Sequence, residues 1–147
     1  MKMVTKHFGE LEVDDGDIIF FDEGIPGFED LRRFVLLSEE NSYPFSWLQS
    51  VDDGDIAFVL IDPWYFKPDY SFDIDEGIIS KLEIQNEGDV KVFAITVIPE
   101  DVKLMSANLR APIVVNINRK KGIQYIMNDD RYSIRHYILE EMKKQGE

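Results

Sequence analysis

Cysteine is absent from this chain, and histidine occurs only twice, at His7 and His136. Without cysteine the protein can form neither a disulfide framework nor a thiolate metal site. The two histidines lie near opposite ends of the sequence and follow no metal-ligand spacing, so we expect no zinc site. No run of residues approaches the roughly 20 apolar positions that a membrane-spanning helix needs. These absences predict a protein without a bound metal, a cofactor or a membrane span.

Basic residues are also scarce. The chain contains 16 Lys and Arg against 29 Asp and Glu, which gives a formal net charge of -13. Most of the acidic excess lies in residues 1–100, whereas residues 101–147 contain more bases than acids. An acidic protein repels a phosphate backbone, so we expect no direct binding to nucleic acid. The charge either serves solubility alone or attracts a basic partner, and the sequence leaves both interpretations open.

The composition is that of a folded protein. Hydrophobic residues make up 44% of the 147 residues and aromatic residues 12%, which is enough to bury a core in one domain. No repeat, low-complexity tract or proline-rich linker divides the sequence, so we predict a single domain over residues 1–147. The first residues form no apolar segment of the secretory type, and we expect a cytoplasmic location.

Short β-rich segments separated by turn signals follow one another along most of the chain. The pair Asp53-Gly54 predicts a hairpin between strands at residues 45–51 and 56–61. Apolar residues at alternate positions predict a second hairpin, at residues 113–118 and 123–127, with one face on a core. Further strands are predicted at residues 4–8, 11–13, 17–21, 34–37 and 90–98. This pattern is typical of a mostly antiparallel β-barrel or sandwich with a few short helices.

Helix signals are few. Asp75 precedes aliphatic residues at helical spacing, Ile78, Ile79 and Leu82, so we predict a helix over residues 75–82 that Asp75 caps. A second helix is predicted over residues 137–144, whose last two lysines suit the carboxy-terminal end of a helix dipole.

The acidic residues form no recognisable catalytic or calcium site. Asp52, Asp53 and Asp55 surround Gly54, which is typical of a solvent-exposed hairpin tip. The segment that begins at Asp73 has its glycine one position too early for a calcium loop. The sequence also lacks a phosphate-cradling glycine loop and a serine in a nucleophile elbow. We therefore predict that the protein is not an enzyme.

Three segments are candidates for contacts with other proteins. Phe45, Trp47 and Gln49 alternate along a predicted strand, and their shared face is either core or the wall of a groove for an amphipathic helix. The aromatic residues 64–66 are either interface anchors or a cap over the barrel mouth. The segment from Asn108 to Pro112 either presents side chains at fixed positions or forms a turn that Asn108 holds.

Four segments of the chain carry a resemblance to a known family. They read GIPGFE at residues 24–29, PFSWLQS at 44–50, AFVLIDP at 57–63 and SANLRAPIVVN at 106–116. In this order and at this spacing they resemble the FliW family of bacterial flagellar assembly factors, and the resemblance extends over residues 3–137. It implies a single compact, antiparallel β-barrel-like domain that binds other proteins and catalyses nothing.

The resemblance implies two protein partners. One is flagellin, whose assembly-competent terminal helices are held before export. The other is CsrA, a small RNA-binding protein that represses translation of flagellin messenger RNA. Accumulated flagellin occupies the assembly factor and frees CsrA to repress, whereas export of flagellin lets the factor capture CsrA and translation resumes. Such a factor needs no cofactor, and we expect a monomer when it is free.

We assign the hypothetical binding surface to two sets of residues. The set for flagellin and CsrA is Phe45, Trp47, Gln49, Asn108, Arg110, Pro112 and Asn116. The acidic set that would face a basic partner is Asp52, Asp53, Asp55, Asp69, Asp73, Asp75 and Glu76. The alternative function is a small-molecule or carbohydrate-binding β-barrel in which Trp47 and Trp64 stack on the ligand. A small hydrolase that uses paired carboxylates is a third class.

Overall fold

The computed structural model describes residues 1–146, which contain eleven strands and three helices. The strands are β1 (Lys2–Thr5), β2 (Gly9–Glu12), β3 (Ile18–Phe20), β4 (Arg33–Leu37), β5 (Phe45–Ser50), β6 (Ala57–Ile61), β7 (Val90–Val97), β8 (Ser106–Ala107), β9 (Ile113–Asn116), β10 (Lys121–Gln124) and β11 (His136–Tyr137). The helices are α1 (Pro63–Phe66), α2 (Glu76–Lys81) and α3 (Ile138–Gln145). Single 3-10 turns precede β3, β7 and β8.

Seven strands close into a β-barrel. Their order is β3-β4-β5-β6-β7-β9-β10, and β10 returns to β3. Neighbours pair antiparallel except for β10 and β3, which run parallel with Lys121 opposite Phe20. The predicted β-barrel is confirmed, but its pairing is not antiparallel throughout. An odd number of strands that alternate in direction cannot close a ring without one parallel pair.

The β8 and β9 strands lie along the same side of β7 with an interruption between them. β7 pairs with β8 through Thr96 and Val97 and with β9 through the segment Val90–Phe93. The intervening residues 108–112 leave the ladder as a loop, and β11 extends the sheet from β8 outside the barrel. The segment that carries much of the family resemblance therefore interrupts one edge of the longest strand.

Large apolar side chains fill the inside of the barrel. The cluster consists of Ile19, Phe21, Ile25, Phe34, Leu48, Leu60, Ile113 and Val115, each at most 2% exposed. Gly122 on β10 faces this cluster, and a Cβ atom at that position would lie 2.6 Å from the Phe21 Cζ atom. Only glycine fits there without moving the ring, so the aromatic core of the barrel dictates this residue.

Three further clusters cover the outside of the barrel. The β1–β2 hairpin packs on Ile18 and Val35, α2 packs on Val114 through Leu82, and α1 and α3 pack on Ile61. The strand predicted at residues 34–37 is present, and it is buried on both faces, through Phe34 inside the barrel and Val35 on the outside. The sequence predicts only one buried face for β9, which is wrong. Ile113 and Val115 face the barrel interior, and the α2 segment covers Val114 and Asn116 on the outer face, so all four residues are buried.

The first hairpin differs from the predicted strands at residues 4–8 and 11–13. The chain turns at residues 6–8, because the Thr5 hydroxyl accepts a hydrogen bond from the Phe8 N–H at 2.9 Å and donates to the Gly9 carbonyl at 2.9 Å. Gly9 takes a left-handed conformation with φ +65, which suits a glycine in a tight turn. The turn therefore falls earlier than the apolar pattern indicates.

Both predicted helices are present. The Asp75 carboxylate accepts a hydrogen bond from the Ile78 N–H at 2.9 Å and caps α2 as predicted. Ile78 and Leu82 pack inward, but Ile79 is 38% exposed and does not share their buried face. Within residues 1–146 no helix combines the length and the apolar character that crossing a membrane requires.

Candidate binding surface

The alternating residues of β5 lie on the outer face of the barrel. Trp47 pairs with Leu37 on one side and Val59 on the other, and its ring meets the edge of Phe8 at a centroid distance of 5.7 Å. It is half-buried, so one side of the indole is available to a partner. Phe45 is also half-buried and packs beside the cluster beneath α1.

Gln49 shares this outer face but is fully buried beneath the first hairpin. Its side-chain nitrogen donates hydrogen bonds to the carbonyl oxygens of Ser50 at 3.0 Å and Ile56 at 3.1 Å. Its side-chain oxygen has no hydrogen-bond partner among the residues that the structure describes. The visible role of Gln49 is to hold the β5–β6 turn, and its side chain offers nothing to a partner in solution.

The segment from Asn108 to Pro112 forms a turn. The Asn108 side-chain oxygen accepts hydrogen bonds from the N–H groups of Arg110 at 3.1 Å and Ala111 at 3.0 Å. The Arg110 guanidinium reaches outward to Asp130 at 3.0 Å, while Pro112 is buried. Of the two interpretations left open by the sequence, the Asn108-held turn is present, and Arg110 is the side chain that this turn offers to solvent.

Asn116 is fully buried and connects two parts of the fold. Its side-chain nitrogen donates to the carbonyl oxygens of Leu82 at 2.8 Å and Glu83 at 3.2 Å, at the end of α2. Its side-chain oxygen accepts from the N–H groups of Asn118 at 3.0 Å and Arg119 at 3.1 Å, in the β9–β10 turn. All four hydrogen-bonding positions of this amide are occupied within the fold.

Two of the seven candidate acids are committed to ion pairs. Asp52 contacts the Arg33 guanidinium at 2.7 Å, and Asp69 contacts the Lys67 ammonium at 3.1 Å. Burial on its own would raise the pKa of Asp52, but the hydrogen bonds from Arg33 and from the Arg32 N–H outweigh burial and lower that pKa. These two carboxylates therefore have less charge to offer a partner than the sequence indicates.

The other acids differ in how they are used. Asp75 caps α2, and the Asp53 carboxylate accepts a hydrogen bond from the Asp55 N–H at 3.0 Å. The carboxylates of Asp55, Asp73 and Glu76 are exposed and make no hydrogen bond or ion pair with any residue in the range 1–146. These three are the acidic side chains best placed to attract a basic partner.

Lys67 also forms a more buried contact. Its ammonium lies 3.2 Å from the Glu141 carboxylate of α3, and the two side chains are 15% and 9% exposed. Burial would raise the pKa of Glu141, but the hydrogen bond and charge of Lys67, together with nearby His136, lower it. Burial would likewise lower the pKa of Lys67, and its two carboxylate partners raise it. This pair ties α3 to the end of α1.

A cleft with both polar and apolar lining residues opens beside β7, on the side that β6 leaves uncovered. It has a volume of about 380 Å³ and is lined in part by Ser38, Glu39 and Ser46. The Ser46 hydroxyl is buried and has no hydrogen-bond partner within residues 1–146. Phe45 also lines this cleft, so one of the predicted binding residues lies at its wall.

A larger, apolar cleft lies next to the first. Its volume is about 750 Å³, and Phe72, Ile74 and Ile84 contribute to its lining. Trp64, Val90 and Val92 line both clefts, so the two are neighbours along β7. The sequence analysis missed this arrangement. The signal that could have revealed it is the length of β7, which has eight residues against five in β6.

No metal centre is visible in the part of the chain that the structure describes. Within residues 1–146, no three His, Asp or Glu side chains lie together in a group that could hold a metal ion. The arrangement instead combines a packed barrel, two surface clefts and unpaired carboxylates, which are features that suit contacts with another molecule.

Comparison with known proteins identifies the family. A family model described as FliW protein matches residues 2–138. The chain belongs to the FliW family. A flagellar assembly factor FliW from Caldicellulosiruptor saccharolyticus is 56% identical over 138 residues, which cover 94% of this chain and 90% of that relative. A FliW from Treponema denticola is 38% identical over 146 residues and 99% of each chain.

A solved structure agrees with the FliW assignment. The crystal structure of a flagellar assembly factor FliW superposes with a TM-score of 0.87 at 37% sequence identity, and the match covers 94% of this chain and 96% of the other. The β-barrel seen here is therefore the fold of that FliW structure. The resemblance predicted from four short segments is confirmed.

The four segments that carry the resemblance to FliW proteins mainly build the barrel. Two of them form most of β5 and β6, and a third forms β8, the turn at Asn108 and β9. The fourth begins at Gly24, which has φ +68 and approaches Glu29 so closely that a Cβ atom would lie 2.7 Å from the Glu29 Cα atom. Family recognition from this sequence therefore depends largely on residues with structural roles.

Proposed function

We propose that this member of the FliW family is a flagellar assembly factor that binds flagellin and the translational repressor CsrA. By antagonising CsrA it couples translation of flagellin messenger RNA to flagellin export. The observation that carries the proposal is the family match over residues 2–138, because the relatives bear the name flagellar assembly factor. The protein acts without catalysis, as a single cytoplasmic FliW-like domain that is monomeric when free.

Surface shape supports the flagellin part of the proposal. The terminal helices of flagellin are amphipathic, and an amphipathic helix needs an apolar groove to receive its hydrophobic face. The larger cleft offers an apolar wall, and Trp64 at its edge is 40% exposed. Large aromatic side chains of this kind commonly anchor protein interfaces.

Charge supports the CsrA part. A protein that binds RNA presents positive charge, and this chain has a net charge of -13 with exposed carboxylates at Asp55, Asp73 and Glu76. Asp52 and Asp69 contribute less, because Arg33 and Lys67 already neutralise them. An acidic protein captures CsrA without competing for the RNA itself.

The packing of the barrel argues against the alternative of a ligand-binding barrel. The interior is occupied by apolar side chains, including Phe21, Phe34 and Leu48. The two tryptophans proposed as stacking platforms also lie in different environments, because Trp64 lines the clefts whereas Trp47 packs on Phe8. We therefore favour protein partners over a small ligand held inside the barrel.

The decisive experiment is titration calorimetry of the purified protein against its own organism's flagellin and, separately, its CsrA. Binding to both, with flagellin displacing CsrA, is the expected result. Binding to flagellin alone would refute the regulatory part of the proposal and leave an export factor. Binding to neither would overturn the proposed function.

A charge-reversal pair tests the acidic surface. Asp73→Lys changes an exposed carboxylate that makes no hydrogen bond or ion pair within residues 1–146, and we expect weaker CsrA binding by about 1 kcal/mol with a smaller salt dependence. Asp30→Lys is the matched control, because Asp30 is equally exposed and lies outside the proposed surface. Equal losses of CsrA affinity from the two substitutions would show that the effect depends on net charge alone. Asp73 would then not belong to the binding surface.

A further inference from the structure

One edge of β7 is only partly covered. β6 pairs with β7 through Leu60 opposite Ile95 and Ile61 opposite Ala94, and then ends where the chain turns into α1. β7 continues for four more residues, Val90–Phe93, which pair only with β9 among the residues that the structure describes. At about 3.3 Å per residue, the uncovered edge is roughly 13 Å long.

Two hydrogen bonds show which backbone groups face this open edge. The Ile95 carbonyl accepts from the Asn108 N–H at 2.9 Å, and the Asp89 carbonyl accepts from the Ile117 N–H at 2.9 Å. Both carbonyls therefore point toward the β8–β9 side. Backbone groups alternate in direction along a strand, so the N–H and C=O groups of Val90 and Val92 point away from β9 and toward the clefts. The Val90 N–H already donates to the Glu87 carbonyl. The Val90 C=O and both backbone groups of Val92 therefore remain, among the described residues, to pair with another strand.

The two clefts flank this edge with different chemistry. The smaller cleft places Glu39 and the unpartnered Ser46 hydroxyl on one side of the strand. The apolar cleft places Phe72 and Ile84 on the other side. Side chains of an extended peptide alternate between two faces, so a peptide laid along β7 would send one set into each cleft.

The charges of the residues that line the two clefts indicate which kind of peptide could bind along β7. Carboxylates of Glu39 and Asp62 line the smaller cleft, and those of Asp73 and Glu87 line the larger, apolar one, whereas Lys91 is the cation found among these lining residues. This balance favours a peptide with basic side chains. An unprotected edge of this kind is the surface at which sheet-extending peptides bind.

The geometry points to β-strand addition at β7. An extended segment of a partner protein, with Lys or Arg alternating with aliphatic residues, pairs with the C=O of Val90 and with the N–H and C=O of Val92. Its basic side chains enter the cleft beside Glu39, and its aliphatic side chains enter the cleft beside Phe72. This inference rests on the proposed protein-binding function and deepens it by naming how a partner segment is held. The extended segment and an amphipathic flagellin helix would use the same apolar cleft, so the two exclude each other there. The test of strand addition needs neither flagellin nor CsrA, so either proposal can fail without the other.

The probe is a blocked octapeptide of alternating Lys and Val, compared with a twin that is N-methylated at every second residue on the pairing edge. Both peptides carry the same side chains and charge, but the twin cannot donate the backbone hydrogen bonds. We expect the first peptide to bind the full chain and the twin to bind at least about tenfold more weakly. Glu39→Gln should weaken binding, whereas Asp30→Asn, an exposed control, should not.

Amide hydrogen exchange followed by NMR locates the contact. In the free protein, the Val92 amide should exchange faster than those of Lys91 and Phe93, which face β9, whereas the Val90 amide is bonded to the Glu87 carbonyl. Bound peptide should slow exchange at Val92 by about tenfold or more.

Three results would overturn strand addition. They are equal affinity for the two peptides, absence of binding by the unmethylated peptide, and protection that appears elsewhere on the chain. A dimer in sedimentation with the Val92 amide already protected would assign the edge to a second copy of the chain and would also overturn it.

Discussion

Replacing Asn116 by alanine should destabilise the fold rather than remove a partner contact. The side chain is fully buried, and its amide occupies four hydrogen bonds between the end of α2 and the β9–β10 turn. Alanine removes all four. The Leu82 carbonyl is the most affected group, because Leu82 is itself only 2% exposed and water has little access to it.

The magnitude follows from those contacts. A buried carbonyl left without a donor costs about 1–3 kcal/mol, and the remaining bonds, which water partly replaces, contribute about 1 kcal/mol together. The expected loss in the free energy of unfolding is therefore about 2–4 kcal/mol. For a chain of this size a loss of that order lowers the melting temperature by roughly 6–12 °C.

Urea unfolding followed by tryptophan fluorescence measures this loss, and calorimetry measures partner binding on the same preparation. Asn116→Asp is the informative companion variant. Its carboxylate still accepts from Asn118 and Arg119, but it turns a second oxygen toward the carbonyls of Leu82 and Glu83. Its pKa should rise in the folded state, so the aspartate variant should be most stable at low pH and lose stability as pH rises through that pKa.

The result that would refute this reasoning is specific. If Asn116→Ala unfolds within about 0.5 kcal/mol of the parent protein while partner binding is lost, the amide is a recognition group and not a structural one. Unchanged binding by the folded fraction, with a large loss of stability, is the outcome that the buried geometry requires.

Two further perturbations test the interior and the α1–α3 contact. Gly122→Ala should lower the free energy of unfolding in urea by about 1–3 kcal/mol, because the new methyl group meets the Phe21 ring. Gly16→Ala is the control and should cost far less, because a Cβ atom there meets nothing within 4 Å. Similar losses of stability in the two variants would argue against the clash. Glu141→Gln should reduce stability at pH 7 by about 1–2 kcal/mol through its contact with Lys67. Because the folded-state pKa of Glu141 is lowered from 4.5, this contribution to stability is present above pH 4.5 and disappears as pH falls through the folded pKa. A stability difference between the variant and the parent protein that persists unchanged at acidic pH would contradict the charge assignment.

The architecture could be predicted because its signals are local. The Asp53-Gly54 pair marks the β5–β6 turn, alternation marks β9 and β10, and Asp75 marks the start of α2. Each of these features depends on neighbours within a few residues, which periodicity and turn chemistry describe well. The parallel contact between β3 and β10 could not be read from such signals, because it joins distant parts of the chain.

The binding surface was harder to predict because burial of a polar residue is not a local property. Gln49 and Asn116 occupy alternate strand positions that a pattern assigns to solvent or to a partner, yet the first hairpin and α2 cover them. The open edge of β7 is also not a local property, because it depends on where β6 stops pairing with β7. Only the relative lengths of the two strands hint at it.

The single parallel pair between β3 and β10 has a consequence for the order in which the chain folds. β3 to β6 form successive hairpins whose contacts close short loops, whereas the pairing of Phe20 with Lys121 must close a loop of about 100 residues. Loop-closure entropy makes that step roughly 2 kcal/mol less favourable than closing a hairpin. The β3–β10 contact should therefore form last during folding and break first during unfolding. Slow folding of the whole barrel would then report the closure of the barrel after the other strand pairs have formed.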